Sequence, residues 1–397
     1  MQVSKKKRES IVDIYLASHL NHIYLNDLSK KSGGSEYRWV ILEPNRVNGN
    51  RVLVSLICVM YWLLTPLLFL YKGMLSVLKK SRYPFIDREY KKCFLQCLNN
   101  ALPRIVQNAN IDTSESVWIV LDESEQSHVS FYRYLSYIDV IRAYFISLVA
   151  YYKSVFKYGI EVSILACEAY DFILMYKACS CIPLSAELYF CNHMERNAVL
   201  IDHLPQKCKY LLQHGTLIIR KLKEGLSDSE MAYVESQNFW TYNLPYKYKS
   251  ISKVYAFSEK EYDALCSSIL NNRPLYDIVG YSIRTTPIVA DRRSVLIVGY
   301  YSGYARLEEE LIKGLQNHGI KIFLKNHPTQ AAKLYNHMRY RYEFEFIDSP
   351  YFPAVDYVVS YDSTLALEYE SMGSKVLYYD EYKISQIIEQ ILKEESR

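Results

Sequence analysis

Four short stretches hold side chains whose types and spacing could do chemistry. The first is Gln213-His214-Gly215-Thr216, directly after the apolar pair Leu211-Leu212. A histidine at a strand end can deprotonate a hydroxyl near neutral pH, because its ordinary pKa is about 6.5. The glycine beside it allows a left-handed turn or a close backbone approach. A structural histidine in a turn fits the same residues. The second stretch is Lys325-Asn326-His327-Pro328. Proline fixes its own φ and pushes the residue before it towards extended backbone. His327 is then held in one direction beside Lys325, and both can give hydrogen bonds or charge to a phosphate. A plain strand-to-loop stop has the same residues. The third is Ser360-Tyr361-Asp362-Ser363-Thr364, running into Leu365 to Glu368. Asp, Ser and Thr are ordinary helix N-caps. The free N–H groups of such a helix start also bind phosphate, so the two readings are compatible. Glu368 lies about one turn in. It is placed either to take a pair of ribose hydroxyls or to sit solvated on the surface. The fourth is the turn from Gly299 to Gly303, which lacks G-x-G-x-x-G spacing.

These stretches need elements to position them. Ser294 to Val298, Ile320 to Leu324, Tyr357 to Ser360 and Lys375 to Tyr379 read as strands. Ala305 to Asn317, Leu365 to Met372 and about Ile384 to Glu394 read as helices. Strands alternating with helices make a parallel sheet covered on both faces. Such sheets bind ligands at the carboxyl ends of their strands, where the four stretches fall. Before about Ile288 the pattern is irregular. Helix-like stretches cover Ile11 to Asp27, Arg88 to Asn110 and Phe131 to Tyr158. Strand-like pieces run from Val117 to Leu121, Glu187 to Cys191, Lys209 to Leu212, Lys253 to Phe257 and Tyr276 to Val279. The division expected is a first domain over 1–287 and a second over 288–397.

Composition narrows the function classes. The 397 residues are 50% hydrophobic and 23% charged, which excludes disorder for most of the chain. A net charge of +4, from 47 basic and 43 acidic residues, is too balanced for a nucleic-acid coat, so no nucleic-acid partner is expected. The nine cysteines have irregular spacing and no C-x-x-C pair, which suits free thiols in a reducing compartment. A phosphate loop, H-E-x-x-H, G-x-S-x-G and an Asp-x-Asp pair are all missing from the sequence. Neither a metal ion nor a bound cofactor is therefore expected. The 39 tyrosines, against 13 glycines, suit sugar stacking, a headgroup belt or simple core packing. Lys5 to Arg8 are followed by an amphipathic stretch rather than an apolar leader, so a cytoplasmic location is expected. Val52 to Tyr71 carries no charge over twenty residues and is flanked by basic residues on both sides. It reads either as a buried core helix or as a helix dipping into the inner face of the cytoplasmic membrane, with Tyr61, Trp62 and Tyr71 at headgroup level.

Taken together, Gln213-His214-Gly215, Lys325-Asn326-His327-Pro328, Ser363-Thr364 and Gly373 resemble bacterial surface-polysaccharide transferases of the GT-B fold. The patterns are most similar to CDP-glycerol glycerophosphotransferases and to sialyl- and Kdo-transferases. The resemblance implies an α/β chain with two Rossmann-like domains facing each other across a cleft. It implies a glycosyltransferase of capsule, O-antigen or lipopolysaccharide synthesis, inverting and metal-independent. Its donor would be a CMP-activated sugar, and its acceptor a saccharide or polyprenyl-linked saccharide. Carried over, Lys325, His327, Pro328, Ser363 and Thr364 would hold the donor phosphate, with Gly299, Gly303 and Glu368 around the nucleotide. His214 would be the base, with Gln213 and Gly215 beside it. Asp122, in Asp122-Glu123-Ser124, resembles the acidic element that replaces the histidine in some members and is a rival base. Asn192-His193-Met194-Glu195-Arg196 resembles an element of capsule-cluster transferases, which adds His193 and Arg196. Three alternatives stay open: a UDP-hexose transferase on the same fold, a CDP-polyol phosphotransferase, and a non-catalytic membrane-associated assembly protein.

Overall fold

The computed structural model describes residues 9–31, 51–84, 90–96, 102–120, 128–191, 196–215, 243–281, 283–288, 293–299, 305–316, 318–326, 335–347, 351–361, 363–379 and 382–393. The chain separates into two compact units. The described residues of the first end at Ile278, and those of the second begin at Val279.

The first unit is built on seven parallel strands: β1 (Lys92–Leu95), β2 (Ser116–Val120), β3 (His128–Ser130), β4 (Glu187–Phe190), β5 (Lys209–Leu212), β6 (Lys253–Ala256) and β7 (Leu275–Ile278). Their order is β3-β2-β1-β4-β5-β6-β7. This is the doubly wound Rossmann order extended by one strand. The direction of winding reverses between β1 and β4, which pair from Lys92 opposite Glu187 to Phe94 opposite Tyr189. The apparent irregularity of the first half is thus a regular sheet whose strands are short and far apart in sequence. The helix expected over Arg88 to Asn110 is replaced by the central strand β1 and a short helix, Leu102–Asn108. Cys93, Phe94 and Leu95 are all buried, as a strand with both faces covered requires. Cys93 and Leu95 join the main core, while Phe94 stacks between Trp118 and Tyr189 on the other face.

Helices close this unit. Tyr137–Tyr158 starts at a capping box, in which Ser136 Oγ accepts from the Asp139 amide and the Asp139 carboxylate accepts from the Ser136 amide. It stops at Gly159, whose φ of 96° a side chain would resist. The helix Arg51–Arg82 packs beside it, with Trp62 edge-on to Tyr152 and Phe69 edge-on to Tyr151. Only 17% of the apolar window within Ser55–Arg82 is buried, so the core-helix reading of Val52 to Tyr71 is overturned. The first helix, Ile11–Lys31, docks through Asn21. Its amide donates to the Tyr246 carbonyl at 2.9 Å, and its oxygen accepts from the Tyr246 amide at 2.8 Å.

The second unit has five parallel strands: β8 (Ser294–Val298), β9 (Lys321–Lys325), β10 (Glu345–Ile347), β11 (Tyr357–Ser360) and β12 (Lys375–Tyr378). Their order is β10-β9-β8-β11-β12, again with a reversal, here between β8 and β11. All five residues of β8 are buried. Val295 and Ile297 pack with Leu311, Ile312 and Ile387, whereas Leu296 and Val298 pack with Val358 and Tyr369 on the opposite face. The fold is therefore α/β with two Rossmann-like sheets. Tyr15, Tyr151, Tyr170, Tyr248, Tyr335, Tyr369 and Tyr378 are all fully buried. Core packing thus takes up a substantial share of the tyrosine excess.

Candidate functional site

In the first unit the carboxyl ends of β1, β4 and β5 come together at the reversal. His214 follows β5 by two residues and is half-buried. Its Nδ1 lies 2.6 Å from the carbonyl of Cys191, the residue that follows β4. A carbonyl only accepts, so Nδ1 carries the proton and the lone pair sits on Nε2. Burial lowers the pKa of His214 below the usual 6.5, and the Cys191 carbonyl opposes this only in part. The imidazole is therefore neutral at neutral pH, in the tautomer a general base needs.

Gln213 fixes that position. It is fully buried, and its Nε2 donates to Glu261 Oε2 and to the Gly215 carbonyl, each at 2.8 Å. Its Oε1 accepts from the Phe257 amide at 3.0 Å. The side chain thus ties the end of β5 to the end of β6 and to the helix Glu259–Ser268. Gln213 is a brace for the turn rather than a group presented to a ligand. Gly215 departs from expectation. The described glycines with positive φ are Gly159, Gly280, Gly319 and Gly373, and none of the described residues lies within 4 Å of where a Gly215 Cβ would stand. Its φ is not left-handed, and among the described residues no close approach demands glycine there. At the end of β1, the amide oxygen of Gln96 is buried with no hydrogen-bond partner among the described residues. The sequence reading missed Gln96, because the strand that delivers it had been read as helix.

In the second unit the reversal lies between Gly299, directly after β8, and the end of β11. A Cβ on Gly299 would stand 2.5 Å from the Tyr335 hydroxyl and 3.3 Å from the Asn326 Cα, so this glycine is required by close approach. The Gly299 amide donates to the Lys325 carbonyl at 2.7 Å, which brings the end of β9 alongside. The Lys325 ammonium lies 4.8 Å from the centre of the Phe352 ring. Ser363 is the N-cap of Thr364–Ser371, its Oγ accepting from the Ala366 amide at 3.1 Å and standing 3.0 Å from Ser360 Oγ. The positive end of that helix, carrying Thr364, therefore opens at the carboxyl end of β11. Glu368 is only 2% exposed. Of the two readings of Glu368, the solvated surface carboxylate is excluded by this burial.

Glu308 is fully buried in the first turn of Ala305–Leu315. The Tyr335 and Tyr379 hydroxyls are pushed well up, first by burial and then by the charge of Glu308 nearby. A buried acid ringed by phenols thus adjoins Gly299. Amphipathic spacing alone gives no signal for it, since glutamates on either side looked equivalent.

Asp122, His193, Gly303, His327 and Pro328 lie outside the described residues, as does the side chain of Arg196 on the helix Arg196–Asp202. Among the described residues no group of three His, Cys, Asp or Glu is set to hold a metal ion. A cavity of about 370 Å³ in the second unit, lined by Asp356, Ser374 and Lys375 among others, opens at the amino ends of β11 and β12. That is the wrong end of the sheet for a ligand of the doubly wound kind.

No family model matches the chain, and no curated protein matches it. Among solved structures, TarM is 10% identical with a TM-score of 0.34, covering 55% of this chain and 51% of its own. The chain thus spans about half the length of TarM. The adenylation, ketoreductase and pseudo Asub multidomain structure of a keto acid-selecting NRPS module is 10% identical with a TM-score of 0.16. It covers 74% of this chain and 24% of its own. Likenesses this distant carry no argument about function.

Proposed function

We propose that the protein is a nucleotide-sugar-dependent glycosyltransferase of cell-surface polysaccharide synthesis, with a CMP-activated sugar as donor. The observation that carries the reading is the position of the chemical side chains. In each of two Rossmann-like sheets they fall at the carboxyl ends of strands at the reversal of winding or one strand away from it. On the first sheet this is His214, and on the second Gly299, Lys325, Ser363 and Thr364. That is where such sheets bind ligands.

In this mechanism the second sheet holds the donor phosphate on the N-terminus of Thr364–Ser371, with Ser363, Thr364 and Lys325 nearby, and His327 and Pro328 are assigned to the phosphate by the sequence resemblance alone. His214 takes the proton from an acceptor hydroxyl through Nε2 as the oxygen attacks the anomeric carbon, inverting it. The helix dipole and Lys325 stabilise the charge that grows on the departing phosphate, the kind of preorganised electrostatics that usually gives the largest rate term. No step uses a metal ion. A thermal-shift panel of CMP, CDP, UDP and GDP tests the reading, because a ligand that binds only the folded state raises its melting temperature. Cytidine nucleotides alone should raise it. A shift with UDP alone would move the donor class, and no shift with any of the four would refute nucleotide binding.

A further inference from the structure

The helices Arg51–Arg82 and Tyr137–Tyr158 turn many large apolar residues outward, although Phe69, Val140, Tyr151 and Val155 are buried on their inner sides. In water, a helix turns its large apolar residues inward and its polar ones outward. On Arg51–Arg82 the buried stripe is instead Cys58, Thr65, Phe69, Ser76 and Lys80. Four of these five are small, polar or charged. On Tyr137–Tyr158 it includes Ala143, Ser147, Ala150 and Ser154. Polar groups line this inner side: Ser163 Oγ donates to the Cys58 carbonyl at 3.1 Å, and Thr65 Oγ1, bonded one turn back to the Tyr61 carbonyl, stands 3.4 Å from Cys167 Sγ. The large side chains point away, with Leu67 64% exposed, Phe145 62% and Phe156 78%. Small and hydroxyl residues between helices, with bulky apolar residues outside, is the pattern of helices packed in lipid.

The charges agree. Cys58 meets Ser163 at one end of the pair, and Lys79 lies 5.5 Å from the Tyr132 ring at the other, so the helices run antiparallel. Lys79 and Arg82 edge the apolar face at one end, Lys153 and Lys157 at the other. Acidic residues are sparse on both helices, Asp139 being tied into its capping box. Basic rims about an uncharged apolar band suit anionic headgroups about acyl chains. Arg51–Arg82 is anchored to the same unit at three points along its length, Cys58 Sγ against the Glu161 carbonyl, Phe69 against Tyr170 and Lys79 against Tyr132. The helix therefore lies along the unit rather than leaving it to cross a bilayer.

We propose that these two helices together form one lipid-embedding face that seats the first unit on an anionic membrane, with Tyr137–Tyr158 contributing as well as Arg51–Arg82. The proposal is independent of the transferase reading. The test is co-sedimentation of the full chain with vesicles of equimolar phosphatidylcholine and phosphatidylglycerol, for wild type and for F145E/F156E. Both phenylalanines are exposed, so the variant should melt with the wild type. It should lose vesicle binding by at least about tenfold. Should that variant fold poorly, L67Q on the other helix carries the same expectation. The proposal is overturned if the wild type stays in the supernatant. It is also overturned if F145E/F156E sediments as the wild type does. A wild-type dimer that F145E/F156E dissociates, with no vesicle binding, would overturn it too, by assigning the face to a second copy of the chain.

Discussion

Replacing Gln213 by Leu tests whether the brace under His214 is what holds the first site. The substitution keeps an apolar body of similar size but removes three hydrogen bonds. The bonds to the Gly215 carbonyl and from the Phe257 amide are each worth about 1 kcal/mol, and the one to the Glu261 carboxylate about 2 kcal/mol. The expected loss is then about 4 kcal/mol, a large share of the ~5–15 kcal/mol that holds a typical domain folded. Glu261 is fully buried, so its carboxylate cannot recover the lost bond from bulk water. Urea unfolding should show a lower midpoint with an unchanged slope. Native-state hydrogen exchange should show the Phe257 amide losing protection beyond that global change. Glu261→Gln combined with Gln213→Leu should cost less than the two singles summed, by about 1 kcal/mol or more. A Gln213→Leu penalty under about 1 kcal/mol, with Phe257 protection unaltered, would refute the brace.

Three further outcomes are expected. His214→Ala should lower kcat for sugar transfer by about 10²–10⁴-fold. Because its pKa is lowered, His214 stays neutral below pH 6.5, so the acid limb of the wild-type pH profile should lie below 6.5 and vanish in the variant. Lys209 is 2% exposed, and burial pushes its pKa from 10.5 down to about 8. Between these values the unfolded chain binds the extra proton, so stability rises with pH, by at most about 3 kcal/mol across the window. Lys209→Met should flatten that rise in urea midpoints taken from pH 8 to about 10, before the tyrosines titrate. Ser363→Asp should keep the helix cap and the melting temperature, yet abolish the thermal shift given by CMP or CDP, because it sets a negative charge where the phosphate would sit.

Four of the five strands of the second sheet and five of the seven of the first were legible in the sequence, but the central strand β1 was not, for a physical reason. Ser294 to Val298 is a continuous apolar run bounded by polar residues, so its strand and boundaries could be read directly. Lys92 to Leu95 is four residues inside a stretch of mixed character, and its pairing partners start at Ser116 and Glu187. Nothing local distinguishes such a strand from a helical turn; only its parallel neighbours make it one. The same holds at the sites. His214 and Ser363 announced themselves by type and by the element they follow. Gln213 looked like a ligand neighbour, but its role depends on Glu261 and Phe257, some 45 residues on. Glu308 could not be told from Glu309 and Glu310 without knowing which side of the helix meets Tyr335. The apolar run at Val52 was visible, but which side of its helix faced outward was settled only by its packing against Tyr137–Tyr158.

The pairing of Asn21 with the backbone of Tyr246 has a consequence for how the chain is made. The first helix leaves the ribosome early, but the peptide group it grips is synthesised 225 residues later. Chain growth at about 5–20 residues per second puts a delay of roughly ten seconds or more between the two. During that interval Ile11–Lys31 lacks the edge it docks on, and the strands β6 and β7 do not yet exist. Only β1 to β5 can assemble beforehand, as a partial sheet with one raw flank at β5. Translation speed over this stretch therefore governs how long that flank is open to wrong partners, and synonymous changes that slow it should raise aggregation without altering a single residue.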